Sequence, residues 1–158
     1  MGLQNNKLNK TESGFTIVEL LIVIVVIGIL AAITIVAFNG IQNRGKAASA
    51  QSAANVIIKK AEAANSVASA YPNSTGTAAG GFGANAESTL TGANITLAAF
   101  TTAPTVPATI EYQVCTTPAN GGARVTYWDY SAAGGGARVT KDIGAACTAW
   151  GTALTGTF

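Results

Sequence analysis

Between Phe15 and Phe38 the chain has twenty apolar residues in twenty-four, and Glu19 is the one charge among them. Twelve of the twenty-four are Ile or Val, a composition that in a short run would indicate a buried strand. Strands rarely exceed about ten residues, so the length decides for a helix. At about 1.5 Å per residue such a helix spans about 36 Å, against roughly 30 Å of bilayer hydrocarbon. Leu20 to Phe38 holds no charge at all, so a single membrane-spanning helix is expected there.

Ahead of this run, Met1 to Gly14 is polar and sets Lys7 and Lys10 against Glu12. The positive-inside bias keeps that end in the cytoplasm and exports the bulk of the chain. A removable secretory signal has an apolar core of about 7 to 15 residues followed by a small-residue cleavage site. The run here is longer and has no good site of that kind, so the helix is expected to stay attached.

Composition excludes most catalytic templates. The 158 residues include no histidine, seven carboxylates, two cysteines and one methionine. Histidine-dependent triads, imidazole metal sites and cysteine-rich zinc sites cannot be assembled from that set. No catalytic residue, metal site or cofactor is expected. The net charge of +2 is scattered rather than clustered, so nucleic acid is not indicated as a partner.

Glu19 needs an explanation, because a carboxylate near the edge of an apolar helix costs about 2 to 3 kcal/mol unless something compensates. Its place in the first helical turns, close to the interface and to the positive end of the helix dipole, is one way to tolerate it. The string around it supplies another. Gly14-Phe15-Thr16-Ile17-Val18-Glu19-Leu20-Leu21, followed by the apolar run through Gly28 to Phe38, closely resembles the N-terminus of type IV pilins and their prepilin-peptidase signal.

That resemblance implies cytoplasmic cleavage between Gly14 and Phe15 and methylation of the new Phe15 amine by the prepilin peptidase/N-methyltransferase. It implies that Glu19 neutralises the N-terminal amine of a neighbouring subunit during assembly. The implied partners are membrane lipid before assembly, copies of the chain itself in a helical filament, the pilus assembly platform and minor pilins. The implied location is the cytoplasmic membrane as a single-pass prepilin, then a surface filament. Two departures stand out: the fourteen-residue leader is longer than the usual short leader, and Val36 stands where many members have a helix-kinking proline. In assembled fibres of related pilins the helix unwinds between the glycine matched by Gly28 and that proline, which Gly28 alone would favour weakly. A pseudopilin of a type II secretion or competence system shares the same N-terminus. Such pseudopilins often hold an acidic calcium site near the C-terminus, for which Glu111, Asp129 and Asp142 are poor material. An anchored surface binding module is the alternative from another class.

Beyond the membrane run, no proline occurs before Pro72, and small or apolar residues recur at Ala47, Ala50, Ala54, Ile57, Ala61, Ala64, Ala68 and Tyr71. The steps of three and four predict an amphipathic helix with a narrow packed face, ended by Tyr71-Pro72-Asn73. Gly40 and Gly45 are candidate loose points along it. Residues 72–105 are rich in Gly, Ala, Ser, Thr and Asn, with Phe82, Leu90, Ile95, Leu97 and Phe100 as sizeable anchors. They read as a connecting loop with one short element near Ser88 to Phe100. Asn73-Ser74-Thr75 and Asn94-Ile95-Thr96 match the N-glycosylation pattern, which arises easily by chance in such a stretch.

From Val106 the signals are those of strands. Ile110, Tyr112 and Val114 alternate with Glu111, Gln113 and Cys115, and Asn120-Gly121-Gly122 is expected to turn the chain. Gly-Gly-Ala-Arg-Val-Thr occurs at Gly121 to Thr126 and again at Gly135 to Thr140. Two copies are too few for a solenoid, so a meander is expected with strands at Arg124 to Tyr130 and Arg138 to Ile143, each after a glycine turn. Trp128, Trp150, Tyr112, Tyr127 and Tyr130 could line a carbohydrate-binding face, but strand aromatics more often pack a core. Cys115 and Cys147, both in the exported part, are expected to form a disulfide, as in the C-terminal region of many pilins.

The expected fold is α+β: a long N-terminal helix, membrane-spanning in one half and amphipathic in the other, packed against a small antiparallel β-meander head. Its segments are a leader at 1–14, the spanning helix at 15–38, the amphipathic helix at 39–71, the loop at 72–105 and the head at 106–158.

Overall fold

The structure, a computed structural model, describes residues 14–158, so the leader before Gly14 lies outside the described residues. One helix, α1 (Ile17–Ala68), runs for 52 residues without interruption through Gly28, Val36, Gly40 and Gly45. The chain divides into two compact units between Asn39 and Gly40, within α1.

In the first unit every described residue is exposed, and no residue of the most apolar window of α1 is buried. Seventeen of the twenty exposed large apolar side chains among the described residues fall between Phe15 and Phe38. Such a surface is unfavourable in water and suited to hydrocarbon. The helix is long and apolar enough to cross a membrane.

In the second unit α1 buries a stripe of Ala50, Ala53, Ala54, Ile57, Ala61 and Ala64. The expected stripe is buried at its centre, whereas Ala47 is half-buried and Ala68 exposed. The helix ends at Ala68 rather than at Tyr71, because Ser69 takes a left-handed conformation with φ of 54°. A residue in that region ends the repeating helical geometry without needing the proline. Tyr71 and Pro72 are buried beyond it.

Six strands follow: β1 (Thr96–Leu97), β2 (Thr109–Thr117), β3 (Ala119–Asp129), β4 (Ala137–Gly144), β5 (Ala149–Trp150) and β6 (Gly156–Thr157). The sheet order is β4-β3-β2-β1-β6, with β5 also on β2. Strands β2, β3 and β4 form the expected antiparallel meander. The sheet as a whole is mixed, because β1 runs parallel to β2, with Leu97 opposite Ile110. That strand is the short element expected near Ser88 to Phe100, and its parallel pairing is what the expectation of an antiparallel head did not include.

Side-chain alternation explains the core. Ile110, Tyr112 and Val114 on β2 and Ala123, Val125 and Tyr127 on β3 share one cluster with Ala50, Ala53, Ala54, Ile57 and Ala61 of α1. Phe82, Leu90, Ile95 and Leu97 join the cluster and are at most 2% exposed, so 72–105 is a packed part of the head. Phe82 meets Tyr112 edge to face, with centroids 4.9 Å apart. With alanine supplying much of the helix face, the loop provides the volume that the helix lacks.

The two glycine pairs of the repeat do different work. The β2–β3 turn lies at Thr117-Pro118, with Thr116 opposite Ala119, and not at Asn120-Gly121-Gly122. Gly121 and Gly122 lie inside β3, where a Cβ on Gly122 would come within 2.5 Å of the Ala145 carbonyl oxygen. Gly135-Gly136 does sit in the β3–β4 connection, where Gly136 has φ of +105° and a Cβ there would collide with the Trp128 ring. A string read twice as a turn is a turn once and a site of close approach once.

The other face of the meander is polar and aromatic. Arg124 donates from Nε and Nη2 to the two carboxylate oxygens of Asp142, at 2.7 and 2.9 Å. Its guanidinium also covers the Trp150 ring, 4.2 Å from the centroid. Arg138 donates to Glu111 at 2.7 Å and lies over Phe100 at 5.4 Å. The Arg124 hydrogen bonds hold the Asp142 carboxyl below its usual range. A lowered carboxyl stabilises the fold above its ordinary pKa, and that contribution is lost as pH falls through the lowered value. Asp142→Asn should therefore cost under about 1 kcal/mol near neutrality, since the pair is exposed. The difference between the two proteins should vanish in acid, as chemical denaturation across a pH series would show.

Candidate processing and assembly segment

Gly14, Phe15 and Thr16 precede α1 without regular structure, and Phe15 is 91% exposed. The helix starts at Ile17 because Thr16 and Glu19 cap it reciprocally. The Glu19 N–H donates to Thr16 Oγ1 at 3.2 Å. In return Glu19 Oε2 accepts the Thr16 N–H at 2.9 Å and the Thr16 hydroxyl at 2.7 Å. This is a capping box, threonine followed three residues later by glutamate, and it satisfies two donors that a helix start otherwise leaves open.

Thr16 joins Glu19 as a residue of this segment, and Thr-x-x-Glu before an apolar run is the sequence signal for it. The box is the local compensation for the charge that helix-dipole proximity alone supplied in outline. Both bonds that the Glu19 carboxylate accepts fall on Oε2, and Oε1 takes no part in the cap. Glu19 is thus held at a defined place in the first turn. Gly14 and Phe15 lie outside the helix and both are exposed.

Residues 9–35 match the description of a prokaryotic N-terminal methylation motif. The chain carries a type IV pilin signal. The motif spans the Gly14–Phe15 junction, Thr16, Glu19 and most of the exposed apolar helix. No curated protein and no solved structure matches the chain. The motif points to a structural protein that is anchored by its N-terminal helix.

Elsewhere, the structure separates the other candidate groups. Cys115 on β2 and Cys147 between β4 and β5 are joined, with Cα atoms 5.7 Å apart. The aromatic set is divided between two faces: Tyr112 and Tyr127 lie in the core, while Trp150 sits under Arg124 and Trp128 meets Phe100 edge to face. Tyr130 donates its hydroxyl to the Pro104 carbonyl at 2.7 Å. A single stacking platform for a sugar is not formed by these five. Glu111 and Asp142 face arginines, and Asp129 accepts from Ser131, which holds its carboxyl low. Among the described residues no group of three or more His, Cys, Asp or Glu is placed to hold a metal ion.

Proposed function

We propose that this chain is the structural subunit of a type IV pilus. It is inserted as a prepilin, cleaved after Gly14, methylated at Phe15 and polymerised through its apolar helix. The observation that carries this reading is the methylation motif at 9–35, which runs into a helix whose apolar surface is left exposed among the described residues. That surface needs lipid before assembly and other copies of the same helix afterwards. Glu19 then pairs with the Phe15 amine of a neighbour, fixing the axial register by one charge in an apolar contact. Cutting and methylation fall to a prepilin peptidase/N-methyltransferase, and extraction to an assembly platform with minor pilins.

The test is mass spectrometry of filaments sheared from cells that make the protein. An abundant peptide beginning with methylated Phe15 is expected. Filaments without it, or a chain still beginning at Met1, would overturn the reading.

A further inference from the structure

The string Gly-Gly-Ala-Arg-Val-Thr occurs on β3 at 121–126 and again at 135–140, running into β4. Within one chain the first copy recognises β4 in a defined register. Arg124 lies opposite Asp142 and Thr126 opposite Thr140. The first pair is the two-bond ion pair, and the second joins its hydroxyls at 3.1 Å. Fourteen positions on, Arg138 and Thr140 repeat Arg124 and Thr126. Strand β4 therefore holds both halves of the contact: the Arg-x-Thr that does the recognising and the Thr-x-Asp that is recognised. A strand with both halves is complementary to itself.

We propose that β4 is the edge through which two copies of this chain pair, antiparallel about Thr140, in the register that the repeat already uses inside one chain. Thr140 then meets Thr140 of the second copy, and Arg138 meets Asp142 twice across a two-fold axis. Neighbouring registers that keep the same faces together are worse. Centring on Lys141, Arg138 or Asp142 sets like charges directly opposite, and centring on Val139 leaves Arg138 opposite threonine. In the favoured register Lys141 lies opposite Val139.

The edge is available. Among the described residues β4 ends the sheet, and its eight residues pair with β3 without a bulge. It contains no proline, the usual block to edge pairing. The opposite edge, β6, has two residues. The side chains of Arg138 and Asp142 are 40% and 52% exposed. Arg138 engages Glu111 through Nη2, which leaves further N–H donors, and each Asp142 oxygen has a second lone pair beyond its bond to Arg124. A two-fold contact closes a pair and does not propagate, so it is distinct from polymerisation through the apolar helix.

Single cysteines in the full chain, purified in detergent micelles and oxidised mildly, test the register. Residues directly opposite on antiparallel strands have Cα atoms about 4.5 to 5.5 Å apart, within disulfide reach. Thr140→Cys should form a covalent dimer at least about tenfold faster than Thr91→Cys, an exposed control outside the sheet. Arg138→Cys should stay at the control rate alone and cross-link when mixed with Asp142→Cys. Adding Asp142→Ala to Thr140→Cys should bring its rate toward the control. Thr140→Cys at the control rate would overturn the proposal, as would equal rates at all positions or faster linking of Arg138→Cys to itself. Neither result bears on whether the chain polymerises through its helix.

Discussion

Cells making Glu19→Ala should yield at least about a hundredfold fewer sheared filaments than wild type, with normal amounts of protein in the membrane. Glu19 belongs to the first unit and its hydrogen bonds are to Thr16, so the head should fold as before. On the proposed pairing, the substitution leaves the Phe15 amine of a neighbour charged and unpaired among apolar side chains. Breaking one partner of a buried ion pair costs about 3 to 5 kcal/mol, which sets the expected scale. The capping box makes a control necessary, since alanine also removes the cap. Thr16→Val removes the cap and keeps the charge, at about 1 kcal/mol, so its filament yield should fall only several-fold. Glu19→Gln keeps an oxygen for the Thr16 N–H and loses the charge, and it should be nearly as defective as alanine. Wild-type filament yield from Glu19→Ala would sink the pairing role outright.

Cys147→Ser should open the C-terminal part of the head to protease while α1 stays intact. The bridge closes a loop with a sequence separation of 32, for which the chain-entropy estimate is roughly 3 to 4 kcal/mol. The local structure has little else to replace it. Beyond Gly144 the chain contributes β5 and β6, two residues each, to a sheet otherwise built from β1, β2, β3 and β4. Cys115 is fully buried on β2 opposite Trp150, so the bond ties the weakest segment to the central strand. A loss of that size raises the population of opened chain by about two orders of magnitude, and cleavage within 145–158 should rise accordingly. Equal protease resistance of the two proteins would refute this.

The sequence determined those features whose physics is local or periodic. Length and hydropathy gave the spanning helix, and steps of three and four gave the buried stripe centred on Ile57. Alternation gave the inward set on β2, and Thr-x-x-Glu was legible as a cap although only Glu19 was singled out. Tertiary structure decided what depends on residues far apart in the chain. Ser69 ends the helix in a left-handed conformation that neither propensity nor Pro72 indicated. Phe82, Leu90, Ile95 and Leu97 look like isolated anchors in a polar loop until an alanine-rich helix face leaves space for them. The two glycine pairs are identical as letters, and only their neighbours, the Ala145 carbonyl for Gly122 and the Trp128 ring for Gly136, assign one to close packing and the other to a turn. The self-complementary edge lies between these cases. Its residues stand twice in the sequence, but their meaning waits on the register of β3 against β4, because register is set by the pairing of whole faces and not by any one residue.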